Sequence, residues 1–133
     1  MNAKDELFFF LYGFTIWSLA TISYKAIGFD EDIMYLNFLS LLLIMPALNL
    51  IGYRVRKIKG LAKYKASILF VFSGLILDAF IILNYDQWIA QNNFNLMPNS
   101  GIYLGAWLLF GNSITALTAF VSQKLEKQPT SHK

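Results

Sequence analysis

The stretch ASILFVFSGLILDAFIILNY, residues 66–85, is twenty residues long and carries a single charge, Asp78. At a rise of 1.5 Å per residue it makes a helix of about 30 Å, the thickness of a bilayer's hydrocarbon core. Three further apolar runs of about this length lie at 7–26, 33–53 and 102–122. None alternates with period two, as barrel strands do, and only helices or closed barrels satisfy every backbone group in lipid. The expected fold is therefore all-α. It is an integral membrane bundle of four transmembrane helices in one domain, residues 1–133, with a polar cytoplasmic tail at 123–133. A buried helix of a soluble bundle would need polar faces that these runs lack.

Composition agrees. The 133 residues are 56% hydrophobic and 14% charged, against roughly 25% charged in a soluble domain. Cysteine is absent and the single histidine, His132, is next to last. That inventory removes thiolate nucleophiles, thiol-based quinone chemistry, haem ligation within the bundle and the usual zinc sites. No metal, no cofactor and no enzymatic activity are expected.

The positive charges set the orientation. Residues 54–65, RVRKIKGLAKYK, hold Arg54, Arg56, Lys57, Lys59, Lys63 and Lys65 and no acid. At the other end of the helices Lys25 faces Asp30, Glu31 and Asp32, and residues 86–100 carry neither Lys nor Arg. The tail adds Lys124, Lys127 and Lys133. By the positive-inside rule both termini and the basic loop are cytoplasmic, and the location is the cell membrane.

The net charge of +3 does not argue for nucleic acid, because the cations flank apolar runs without interleaved aromatics. The partner implied is the lipid bilayer. The basic loop could hold anionic headgroups, although its role as topology determinant is the simpler account. The first run is read as a retained helix rather than a secretory signal. Asp5 and Glu6 follow Lys4, the run exceeds a signal's 7–15 apolar residues, and no small-x-small site follows it. The long third connection places Trp88, Phe94, Leu96 and Met97 among Asn and Gln, as in a segment lying at the outer headgroup boundary.

Asp78 is twelve residues in from Ala66 and seven before Tyr85, too deep to reach the interface. An ionised carboxylate there costs about 2.5–3.5 kcal/mol on an insertion scale, so it must face the bundle interior or a wet cavity. Ser67, Gly74, Asp78 and Tyr85 share one helical stripe. In the fourth run Gly101, Gly105, Asn112, Thr115 and Ala119 share another, opening with a GxxxG. The second run contributes Asn37, Ser40, Pro46 and Asn49, and the first Ser18, Thr21 and Lys25. Counted from the outer boundary, Ser40 and Ser18 are level with Asp78, with Asn37 and Asn112 a turn away. Asp78, Asn112, Asn37 and Ser40 thus form the candidate intramembrane polar site, and Gly74, Gly101 and Gly105 the candidate packing positions. Asp78 is either a proton or cation relay or a buried carboxyl clamping the bundle through hydrogen bonds.

The segments GLILDAF (74–80), NLMPNS (95–100) and GAWLLFGNS (105–113) resemble an uncharacterised family of small four-helix bacterial membrane proteins, a domain of unknown function. Asp78, Pro98, Gly105 and Trp107 carry the resemblance. It implies a multi-pass bacterial membrane protein and no activity. Asn112 and Ser113 depart from the family's aromatic-rich fourth helix. Small multidrug transporters are of similar length but place their carboxylate in the first helix, where this chain has none. Three classes of function remain open: a non-enzymatic accessory or interaction protein, alone as a homo-oligomer or with a membrane-protein partner; a small transporter or channel using Asp78; and a lipid enzyme. The last would need convergent ionisable groups such as Asp30 to Asp32 with Asp86.

Overall fold

The computed structural model describes residues 1–27, 31–85 and 100–127, with side chains described for 1–24, 35–85 and 101–126. These residues form four helices: α1 (Ala3–Ile27), α2 (Glu31–Val55), α3 (Ala62–Leu83) and α4 (Ser100–Lys127). All four are long and apolar enough to cross a membrane. The bundle is all-helical, as the four runs predict. The expected interfacial segment with Trp88, the side chain of Lys25, and the acids at 30–32 and 86 lie outside the described residues or side chains.

α1 lies against α3, α3 against α4, and α4 against α2, whereas the sequence neighbours α2 and α3 share few contacts. The parallel pairs α1/α3 and α2/α4 are thus the two halves of the bundle, joined by the antiparallel α3/α4 hairpin. Lipid offers little hydrophobic drive between helices, so close fit and interhelical hydrogen bonds must hold them. Trp17, Leu41, Phe70, Leu104 and Leu108 fill the centre, while Phe9, Tyr53, Ile58 and Ala66 form a second core toward the basic end. The outer surface is leucine and isoleucine, with Leu43 77% and Leu83 84% exposed, as suits a lipid-facing side.

Helix ends differ from the sequence expectation in ways the side chains explain. α1 starts four residues early because Asn2 caps it: its Oδ1 accepts from the Asp5 N–H at 2.9 Å, and Asp5 Oδ2 reaches back to the Asn2 N–H at 3.4 Å, a capping box. α4 runs on to Lys127, five residues into the stretch read as tail. Gln123 and Glu126 in that extension are anchored by Tyr64, Lys63 and Gly60.

α2 ends in a Schellman turn. Ile58 N–H donates to the Tyr53 carbonyl at 2.8 Å and Lys57 N–H to that of Arg54 at 3.2 Å. Lys57 stands in the left-handed position, φ 52°, which usually takes glycine. Lys57→Gly is expected to stabilise the protein by about 1 kcal/mol, read as a higher midpoint in detergent unfolding. No gain would mean that the turn is unstrained.

Candidate functional site

The interior polar groups line up along the bundle. Asp78 is 5% exposed, and its Oδ2 accepts from Asn112 Nδ2 at 3.2 Å. One turn along α4, Thr115 Oγ1 accepts from Asn49 Nδ2 at 3.3 Å, and the Thr115 carbonyl accepts from Ser67 Oγ at 3.1 Å. Ser67 Oγ in turn accepts from the Tyr53 hydroxyl at 3.2 Å. Lys63 Nζ stands 5.6 Å from the centre of the Tyr53 ring, reaches the Ser122 carbonyl at 3.4 Å and pairs with Glu126 at 2.8 Å. Helices α2, α3 and α4 thus share a polar seam from the basic end to Asp78.

α1 closes this seam with an aromatic side chain. Trp17 is 1% exposed and its indole lies on Gly74 and Gly111, which have no side chains to hold it off. Gly74 is one turn from Asp78 on α3, and Gly111 is beside Asn112 on α4. Among the described residues, Trp17 Nε1, Asp78 Oδ1, Asn112 Oδ1 and Asn49 Oδ1 are buried without a hydrogen-bond partner.

Of the expected site residues, Asp78 and Asn112 come together. Asn37 and Ser40 stand apart from them: Ser40 Oγ donates to the Asn37 carbonyl at 2.7 Å within α2, and that carbonyl also accepts from Trp107 Nε1 at 3.2 Å. At Trp17's level, α2 presents Leu41, whose Cδ1 lies near Gly111. Equal depth placed Ser40 near Asp78, but the helix faces it away. Asn49, deeper by more than two turns, is the α2 residue that joins the seam.

The packing glycines are redistributed likewise. Gly74 fits the indole closely, whereas Gly101 and Gly105 meet only side-chain atoms of Tyr85 and Ile82, the latter 3.7 Å from a Cβ built on Gly105. Gly13 is as closely approached as Gly74, by Ser73 and by the Phe70 backbone. A lone Gly in an apolar run gives no hint of this in one sequence.

The basic residues 54–65 acquire acidic partners from both chain ends. Arg56 Nε donates to Asp5 Oδ1 at 2.8 Å, Lys65 Nζ pairs with Glu6 at 2.6 Å, and Lys63 with Glu126 at 2.8 Å. Arg54, Lys57 and Lys59 make no ion pair among the described residues. The start of α1, the α2–α3 turn and the end of α4 therefore share one end of the bundle. The fully acid-free loop of the sequence is half neutralised in three dimensions.

Compared with known proteins, residues 28–126 match a family of unknown function (DUF5367). The match takes in α2, α3 and α4 with Asp78 and Asn112, and begins after α1 and Trp17. No curated protein and no solved structure matches the chain.

Proposed function

The chain belongs to the family of unknown function DUF5367, which brings no activity with it, and from that premise we propose a non-enzymatic accessory or interaction protein of a bacterial cell membrane. Both termini are cytoplasmic in this reading, supported by Arg54, Lys57 and Lys59 at the end that holds them. The observation that carries the reading is the condition of Asp78. The one carboxylate deep in the apolar runs is 5% exposed, tied to Asn112 and packed near Trp17. Three surface cavities among the described residues, about 800, 300 and 210 Å³, are lined by other residues. A group in that position clamps helices rather than meeting a substrate, and leaves the lipid-facing surface to act through association.

Affinity purification from native membranes with mass spectrometry tests this directly. A stable companion protein or a second copy is the expected result, and a solitary monomer counts against it. Asp78→Asn keeps an amide-to-amide bond to Asn112, so it should lower stability by no more than about 1 kcal/mol. Asp78→Ala leaves Asn112 without its partner and should lose about 1–2 kcal/mol. Equal stability of wild type and Asp78→Ala in detergent unfolding would remove the clamp.

A second reading, a small transporter with Asp78 as proton or cation site, is favoured by one observation. The unpartnered oxygens of Asp78 and Asn112 lie at the end of a polar seam reaching Lys63. Proteoliposome flux that falls at least tenfold in Asp78→Asn would establish it, and unchanged flux would dismiss it.

A further inference from the structure

We infer that the cleft between α2 and α4 is a binding site for one anionic phospholipid, its phosphate at the basic end and an acyl chain along the helices. The inference stands independently of the role given to Asp78. It rests on two cavities that run into one another.

The first, about 800 Å³, is lined by Arg54, Lys57, Lys59 and Lys63 with a single acid, Glu126, at the last turns of α2 and α4. Glu126 offers little repulsion, because its two oxygens are taken by Lys63 at 2.8 Å and the Gly60 N–H at 2.9 Å. Arg54, Lys57 and Lys59 are exposed and without an ion pair among the described residues. The Schellman turn that stops α2 puts Lys57 into the lining at φ 52°, a conformation that a lysine adopts only at a cost. Such a pocket between transmembrane helices suits a phosphate headgroup.

The second, about 300 Å³, is apolar and lined by Leu42, Pro46 and Leu50 from α2 and by residues of α4 including Leu117, Thr118 and Val121. Leu50, Ser122 and Leu125 line both cavities, so one leads into the other. Leu42, Pro46 and Leu50 follow one another at single turns, giving a groove about 12 Å long at 1.5 Å per residue. It descends from the basic end toward the membrane centre, and Leu42, Leu117 and Val121 keep its side open to lipid at 44%, 56% and 46% exposure. Cations at the interface above an apolar slot match a molecule with a charged head and a hydrocarbon tail. A free phosphate would use only the upper cavity, and a helix of a second copy only the lower.

Native mass spectrometry on detergent-released full chain titrated with phosphatidylglycerol or phosphatidylcholine tests the site. The expected result is one phosphatidylglycerol retained at least tenfold more tightly than phosphatidylcholine. Each cation near an anionic phosphate is worth roughly fivefold, so Arg54→Gln with Lys59→Gln should abolish most of that preference. Lys57→Gly should weaken retention roughly fivefold while relieving the turn, so its loss cannot be laid to misfolding. Lys65→Gln, outside the cleft and paired with Glu6, should leave retention within twofold. Equal retention of the two lipids, or equal losses from Lys65→Gln and Arg54→Gln, would overturn the site in favour of diffuse attraction. Displacement of the lipid by millimolar inorganic phosphate, with Thr118→Phe in the groove having no effect, would overturn the acyl-chain half. Dimers that disappear in Thr118→Phe would assign the groove to a second copy instead.

Discussion

Gly13→Ala is expected to destabilise the protein by about 3 kcal/mol, the upper end of the usual range for overpacking. A Cβ on Gly13 would overlap Ser73 Oγ and the Phe70 carbonyl oxygen, and would come within 2.9 Å of the Phe70 Cα. Two of those three are backbone atoms of a helix that cannot rotate away as a side chain would. Relief requires α1 to withdraw from α3, and that movement would also loosen Trp17 on Gly74 one turn along. Gly105→Ala is the matched control. Its Cβ would stand 3.7 Å from Ile82 Cδ1, an ordinary contact, and alanine is the better helix former, so the variant should be neutral or gain up to about 1 kcal/mol. Unfolding of both variants by SDS titration in mixed micelles checks the pair. Equal midpoints would show that α1 and α3 can separate without loss.

This contrast also marks where sequence reasoning reaches and where it stops. The four runs were legible because length and hydropathy are properties of a single segment, and a bilayer imposes the length. The inward stripe of α3 was legible for the same reason: Ser67, Gly74 and Asp78 share a face whatever they pack against, and all three are buried. What could not be read is which helix meets which. Depth put Ser40 level with Asp78, yet depth says nothing of rotation, and α2 turns Leu41 to the centre instead. Gly13 and Gly111 look like any glycine in an apolar run unless one knows that α1 packs on α3 and that Trp17 reaches across to Gly111 of α4. The salt bridges were closer to reach. Asp5, Glu6 and Glu126 lie at the same end as the basic loop by topology alone, and an acid and a base at one rim of a bundle will pair if side-chain length permits. Asp78 with Asn112 was legible as a pair of depths, while the seam that continues through Thr115, Ser67 and Tyr53 depended on the register between three helices.

Trp17→Ala should have a similar effect, about 3 kcal/mol, and a second consequence that a simple loss of packing would not have. The indole is 1% exposed and is gripped from two sides: a Cβ on Gly74 would strike its pyrrole edge, and one on Gly111 would lie 2.8 Å from Cη2. Truncation to alanine therefore opens a cavity that Gly74 and Gly111 have no side chains to fill, and aromatic-to-alanine changes in packed interiors cost about 3–5 kcal/mol. The lower figure applies because the unfolded reference in a membrane also keeps the ring in apolar surroundings. A dry apolar cavity stays empty, but this one would open beside unpartnered oxygens of Asp78 and Asn112, and a polar cavity of that size admits water. Hydration would give Asp78 the aqueous contact that the wild-type packing denies it. Trp17→Ala in proteoliposomes is accordingly expected to leak protons, and Asp78→Asn added to it should close the leak, while Trp17→Phe should remain tight. A destabilised but proton-tight Trp17→Ala would show that the neighbouring side chains, rather than the indole, keep water from the carboxylate. A leak that survives Asp78→Asn would show that the polar seam conducts without it.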